Sequence, residues 1–261
     1  MSEESGHYYL RDGTPCHEVP AKSKGPGGMR AFNLRWDRHL GASASVTTQL
    51  KIIAAPPLEK WKRKQVVLSA LTIPRIDGET DDELFERIER DGAAQAKAAA
   101  DEGSRVHHAS HMNRLGKPFD AKYIPHVNAL AAEVKRLFPD VNDWVPEKSF
   151  CHRSGFGGSV DLHSPSIGII IDYKGKDGDF TEVDIYGEPK KLNWDQHWQL
   201  GGYRKGLELP RAPCANIFFS RTHPGLVKSH VWMPEEIDEG QEIFECAVAL
   251  YKRLKKYDPS W

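Results

Sequence analysis

Asp172-Tyr173-Lys174 is the segment of this chain with the clearest chemical potential. On a strand, residues two apart share a face, so the carboxylate and the ammonium would point the same way. Asp161 lies near the end of the preceding predicted strand, and a short hairpin would bring it close to Asp172. Two carboxylates converging at strand ends make a hard-oxygen site suited to Mg²⁺ or Mn²⁺. A lysine beside such a cation can orient an attacking water and offset the charge that builds on phosphorus during phosphodiester hydrolysis. Taken alone, the three residues fit a structural salt bridge at a sheet edge better than a metal site, since short motifs match often by chance.

The surrounding residues enlarge the set. Glu147 stands just before the first predicted strand and can reach the same mouth. Gln199 and Tyr203, four apart in a helical stretch, share a face. His107 follows Gly103-Ser104, where the spacing predicts a break in the helix and Ser104 as the cap of a new one. Lys60, Lys62, Arg63 and Lys64 crowd around Trp61 and form a candidate phosphate-contacting cluster. Other features have plainer readings. His107 and His111 have the spacing of a zinc pair but lack an H-E-x-x-H pattern. Trp194 and Trp198 suit a helix core, or a platform for an unpaired base. The basic run Lys252 to Lys256 reads as a solvated helix end.

These residues need elements to hold them. Residues 1 to about 40 read as an irregular leader, with turn chemistry at Asp12-Gly13-Thr14-Pro15 and Lys24-Gly25-Pro26-Gly27-Gly28. Helical periodicity covers Leu58 to Leu71, Asp81 to Ala100, a segment through His107 to His111, and Val127 to Phe138. Lys148 to His152, Gly157 to His163 and Gly168 to Tyr173 then read as three consecutive antiparallel strands. A helix over Pro189 to Leu207, strands at Ala215 to Ser220 and Lys228 to Met233, and a closing helix over Glu235 to Tyr257 follow. That order predicts an α+β (or α/β) core in one domain over 41–261, helical to about 140 and sheet-bearing beyond.

Taken in order, G-S-x-x-H at Gly103 to His107, then Glu147, Asp161, D-x-K and Q-x-x-x-Y, the set resembles the RecB-like branch of the PD-(D/E)XK nuclease superfamily. It is most similar to the mitochondrial genome maintenance exonuclease type and its bacteriophage relatives. A Ser-Val-Thr-Thr segment at Ser45 to Thr48 and a Leu-Glu-x-Trp-Lys element at Leu58 to Lys62 carry the likeness across about residues 45 to 220. Asp12-Gly13-Thr14-Pro15 also looks like the phage members. The resemblance implies a restriction-endonuclease-like core, a mixed central sheet flanked by helices with an N-terminal helical region. It further implies Asp161, Asp172 and the Tyr173 carbonyl as metal ligands, with His107 ligating or beside the metal. Glu147 would position metal-bound water, Lys174 would assist the nucleophile, and Gln199 and Tyr203 would support the scissile phosphate. The implied reaction is Mg²⁺-dependent DNA exonuclease cleavage, with Mn²⁺ able to substitute, on single-stranded or frayed ends to leave 5′-phosphates. Ser104 and the Lys60 to Lys64 cluster with Trp61 would touch DNA. Two alternatives are a duplex-resecting recombination exonuclease paired with a single-strand annealing protein, and a DNA-binding module whose catalysis has lapsed.

Composition bounds these readings. Among 261 residues, 36 basic and 37 acidic side chains nearly cancel, so DNA affinity is expected to be modest, local in origin and sensitive to salt. The four cysteines, at 16, 151, 214 and 246, form no C-x-x-C pair and lack the clustering of the iron–sulfur branch, so no cluster is expected. With no apolar stretch near the start and no bilayer-length run, a cytoplasmic protein without membrane association is expected, in the host cytoplasm if phage-encoded.

Overall fold

The computed structural model describes residues 6–21, 27–53, 56–183, 192 and 195–261. Three short strands open the chain: β1 (Tyr8–Tyr9), β2 (Glu18–Pro20) and β3 (Met29–Ala31). The one-turn α1 (Leu34–Asp37), β4 (Ser43–Ala44) and α2 (Val46–Leu50) follow, the last capped by the Ser45 side chain. Next come three helices, α3 (Pro56–Thr72), α4 (Asp81–Arg114) and α5 (Ile124–Leu137). The strands β5 (Val145–His152), β6 (Phe156–Ser164) and β7 (Ile169–Lys176) form the meander. Then α6 (Gln196–Gly206), β8 (Cys214–Ser220), β9 (Val227–Val231) and α7 (Pro234–Lys255) close the chain.

The main sheet runs β5-β6-β7-β8-β9, with β7 and β8 parallel and the other neighbours antiparallel. A parallel pair cannot be joined by a hairpin, so the chain crosses over through α6. Ile169, Ile170 and Ile171 are all fully buried, as a strand covered on both faces requires. Ile169, Ile171 and Tyr173 pack under α4 and α5 with Ala215, Ile217 and Phe219. On the other face, Ile170 and Cys214 pack with Leu200, Tyr203, Phe244 and Val248 of α6 and α7. Each such aliphatic or aromatic side chain contributes roughly 1.5–3 kcal/mol by burial.

Two expectations are corrected. No break occurs at Gly103-Ser104: α4 runs unbroken over 34 residues from a Thr80–Glu83 capping box. One interior glycine costs only about 1 kcal/mol against alanine, too little to stop a helix with Ala93 to Ala100 just ahead. Ser104 therefore caps nothing, and its hydroxyl bonds the Ala100 carbonyl within the same helix. Nor is the region before residue 41 irregular throughout. Tyr8–Tyr9 pairs with Ser43–Ala44, Glu18–Pro20 with Met29–Ala31, and Tyr8, Val19 and Phe32 bury against Tyr251 of α7. The helix expected over Pro189 to Leu207 is seen as α6; Trp194 lies outside the described residues.

Candidate active site

The site forms where β6 and β7 part. Their ladder ends at the pair Leu162–Ile171, and the same register sets Asp161 across from Asp172. On the other edge of β6, the pairs Pro146–Leu162 and Lys148–Val160 set Glu147 across from Asp161. Glu147 thus sits inside β5, not ahead of it, with a left-handed φ of 50°. The strand pleat slips here too. Val160 packs under α6 and α7, whereas Leu162, two residues on, packs under α4 and α5. Three carboxylates from adjacent strands therefore meet at one irregularity, and helices reach it from both sides.

From α4, His107 places Nδ1 3.2 Å from Asp161 Oδ1, while the Tyr173 amide donates to Asp161 Oδ2 at 2.7 Å. The His107 ring packs edge-on against Tyr173 and Phe219. From α6, Gln199 accepts from Lys174 Nζ at 2.9 Å and donates to Asp172 Oδ1 at 3.2 Å and to the Tyr203 hydroxyl. Lys174 Nζ also lies 2.8 Å from Asp172 Oδ2 and 3.0 Å from Oδ1. All seven of the expected acidic, basic and supporting side chains are thus brought together: His107, Glu147, Asp161, Asp172, Lys174, Gln199 and Tyr203.

Charge is divided unevenly among the acids. Burial pushes Asp172 up to about 6, the adjacent Asp161 adds to this, and Lys174 only partly offsets it. Burial opposes ionisation of Asp161 as well, but His107 and Lys174 more than compensate and hold it below the usual carboxylate range. Glu147 is raised by burial and then by Asp161, against a 2.9 Å hydrogen bond from Ser159. His107, which burial alone would discharge, is held above its ordinary value by Asp161.

Such a concentration of buried negative charge is what a divalent cation would relieve. Among the described residues no three His, Cys, Asp or Glu side chains form a preassembled metal cluster. Mg²⁺ needs no such cage, since one or two carboxylates and several waters suffice. The oxygen donors Glu147, Asp161 and Asp172 therefore fit Mg²⁺ or Mn²⁺ better than zinc, provided Lys174 yields part of its hold on Asp172.

The predicted DNA-contacting residues lie elsewhere. Lys60, Lys62, Arg63 and Lys64 are exposed on α3 around the half-buried Trp61, and Lys62 is tied to Glu59 at 2.9 Å. Near its middle, α3 packs against α4 where Val66 meets Gly92. His107 is about 22 Å further along α4, at 1.5 Å per residue. Ser104 is exposed one turn before His107.

Three residues at the site escape sequence reasoning. Asn216, fully buried on β8, donates to Asp172 Oδ2 at 2.8 Å and accepts from Trp232 Nε1 at 2.8 Å. A lone polar residue within the apolar run Cys214 to Phe219 is the signal that could have found it, because buried amides need partners. Trp232 completes that chain. Tyr9 of β1 lies over Gly157 of β6, where an added Cβ would come within 2.7 Å of its own Cβ. Burial and the charges of Glu147 and Asp161 push the Tyr9 phenol up to about 12; nothing in the sequence signals this.

No family model matches the chain, and no curated protein matches it. Among solved structures it overlaps a protein from Eubacterium rectale described as a "putative exonuclease", at 12% identity and a TM-score of 0.43, over 59% of this chain and 68% of that one. A second overlap, with SSO0001, has 13% identity and a TM-score of 0.24 over 72% and 85% of the two chains.

Proposed function

We propose that this chain is a Mg²⁺-dependent deoxyribonuclease of the RecB-like kind, an exonuclease that cuts single-stranded or frayed DNA ends and leaves 5′-phosphates. The opposed pair Asp161 and Asp172, with the Lys174 ammonium and Gln199 amide locked beside it, is the observation that carries this reading. Asp161, Asp172 and the Tyr173 carbonyl would hold the cation, with Glu147 and His107 alongside. When bound, Mg²⁺ or Mn²⁺ would polarise the phosphate and lower the pKa of a coordinated water.

The remaining work falls to the chain. Lys174 presents fixed positive charge where negative charge develops on the phosphate oxygens. Gln199 holds that ammonium in place, and its bond to the Tyr203 oxygen leaves the phenol proton free for a phosphate oxygen. His107 keeps Asp161 ionised and so ready to bind a cation. A preference for free ends rests on the α3–α4 hairpin, a wall that a threaded strand end could follow.

The test is end-labelled single-stranded DNA in Mg²⁺, alongside Asp172→Ala, Lys174→Ala and an EDTA control. Loss of label from one end is expected, abolished by EDTA and by Asp172→Ala and slowed by roughly 10²–10³ by Lys174→Ala. Internal cutting would overturn the end preference. Intact DNA in both Mg²⁺ and Mn²⁺ would overturn the nuclease reading.

A further inference from the structure

A second pocket lies on the far side of α6. A cavity of about 700 Å³ opens between the end of α6, the start of β6 and the last turns of α7. Lys205 is two positions beyond Tyr203, about 200° around the helix, so it faces away from the acidic cluster. Phe156, fully buried, and Val248 floor the cavity. Its walls are basic: Lys205, Lys252, Arg253 and Lys256 line it.

The two acids there are already committed. Glu245 is bound by Lys205 at 2.6 Å and accepts from Gln241 at 3.1 Å. Asp258 is bound by Lys252 at 2.7 Å and by the Ser260 hydroxyl, which hold its carboxyl at about 2. Arg253 and Lys256 have no ion-pair partner among the described residues, and both are exposed at the rim. Four cations against two anions leave an excess side-chain charge of +2, only part of which is offset by the negative C-terminal end of α7. This matches a phosphate monoester, which carries nearly −2 at pH 7. An apolar floor beside an aromatic wall, Tyr257, suits a flat ring. The volume is in the range of small-molecule sites.

We propose that this cavity binds a nucleoside 5′-phosphate, either free or as the phosphorylated end of a DNA strand. The cavity does not depend on the nuclease reading, because none of its residues belongs to the acidic cluster. The test is calorimetric titration of the full chain in EDTA with dAMP, deoxyadenosine and inorganic phosphate, and anisotropy with 5′-phosphorylated and 5′-hydroxyl hexanucleotides. Saturable dAMP binding is expected, weakened at least tenfold by Arg253→Glu with Lys256→Glu and unchanged by Asp172→Asn. Deoxyadenosine should bind at least tenfold more weakly. Binding of the 5′-phosphorylated hexamer above the 5′-hydroxyl one assigns a strand end, and equal weak binding of the two assigns the free nucleotide. Binding that survives the charge reversal, or inorganic phosphate binding as tightly as dAMP, would overturn the proposal, as would no saturable dAMP binding at millimolar concentration. Arg253 and Lys256 are both exposed, and circular dichroism of the double variant accompanies the titration; an unchanged spectrum with unchanged affinity counts against the site.

Discussion

On the proposed metal-dependent reading, Asp172 sets the working pH of the candidate site. Its carboxyl is pushed up to about 6, so below that pH a proton occupies the position a cation needs. Cleavage in Mg²⁺ should therefore be level from about pH 7 to 8 and fall roughly tenfold per unit below about pH 6. A pH–rate profile at subsaturating Mg²⁺ checks this, and a profile level down to pH 5 would contradict it. Asn216 tunes that value, because its amide donates to the charged form of Asp172. Replacing it by Ala removes a bond that favours ionisation, so the acid limb should move to higher pH. Leaving the Trp232 Nε1 donor unpaired should also cost roughly 1–3 kcal/mol of stability. A merely structural role would lower stability without moving the limb. Lys174→Ala should lower kcat by roughly 10²–10³, the range for loss of one charge-stabilising donor.

At the scale of elements, the site depends on how closely α6 can approach α7. Gly201 and Gly240 make that approach possible: a Cβ at either would come within 2.4 Å of backbone on the facing helix, Gln241 N for one and His197 O for the other. Neither helix can yield by rotating a side chain. Gly201→Ala should therefore cost roughly 1–3 kcal/mol or more by overpacking, seen as a Tm lower by several degrees. Because Gln199 and Tyr203 ride on α6, activity should fall along with Tm. An unchanged Tm would mean that the helices are further apart than described. The same elements show what the sequence can and cannot disclose. Strand alternation around Asp172 and Lys174, and the four-residue step from Gln199 to Tyr203, are local patterns with one structural meaning, so they were legible. The continuity of α4 through Gly103 was not, because a local breaker was outweighed by helix-forming neighbours. Glu147, expected just ahead of the first strand, lies inside it, at a left-handed φ of 50° that no local sequence pattern announces.

Over the whole molecule, two features join parts that sequence periodicity treats separately. Strands of two or three residues carry no readable pattern, so the N-terminal region shows its order only through long-range contacts. Tyr8 meets Tyr251, 243 residues away, hydroxyl to hydroxyl at 3.3 Å, and Tyr9 reaches the acidic cluster. The other feature is charge. A net charge of −1 gives no long-range pull toward DNA, so the proposed DNA binding rests on local cations. On α3, Lys60, Arg63 and Lys64 are exposed and without ion-pair partners among the described residues, while Lys62 is spent on Glu59. Three phosphate contacts to a single strand predict a slope of about −2 for log affinity against log salt. Anisotropy of labelled oligonucleotides between 50 and 200 mM salt, with Asp172→Asn to prevent cleavage, measures it. Reversing the three side chains to Glu should remove most of the slope. It should leave the cleavage rate of a dinucleotide unchanged, because such a substrate is too short to span from the acidic cluster to α3. An unaltered slope would place the DNA path on another face and free α3 from any role in it.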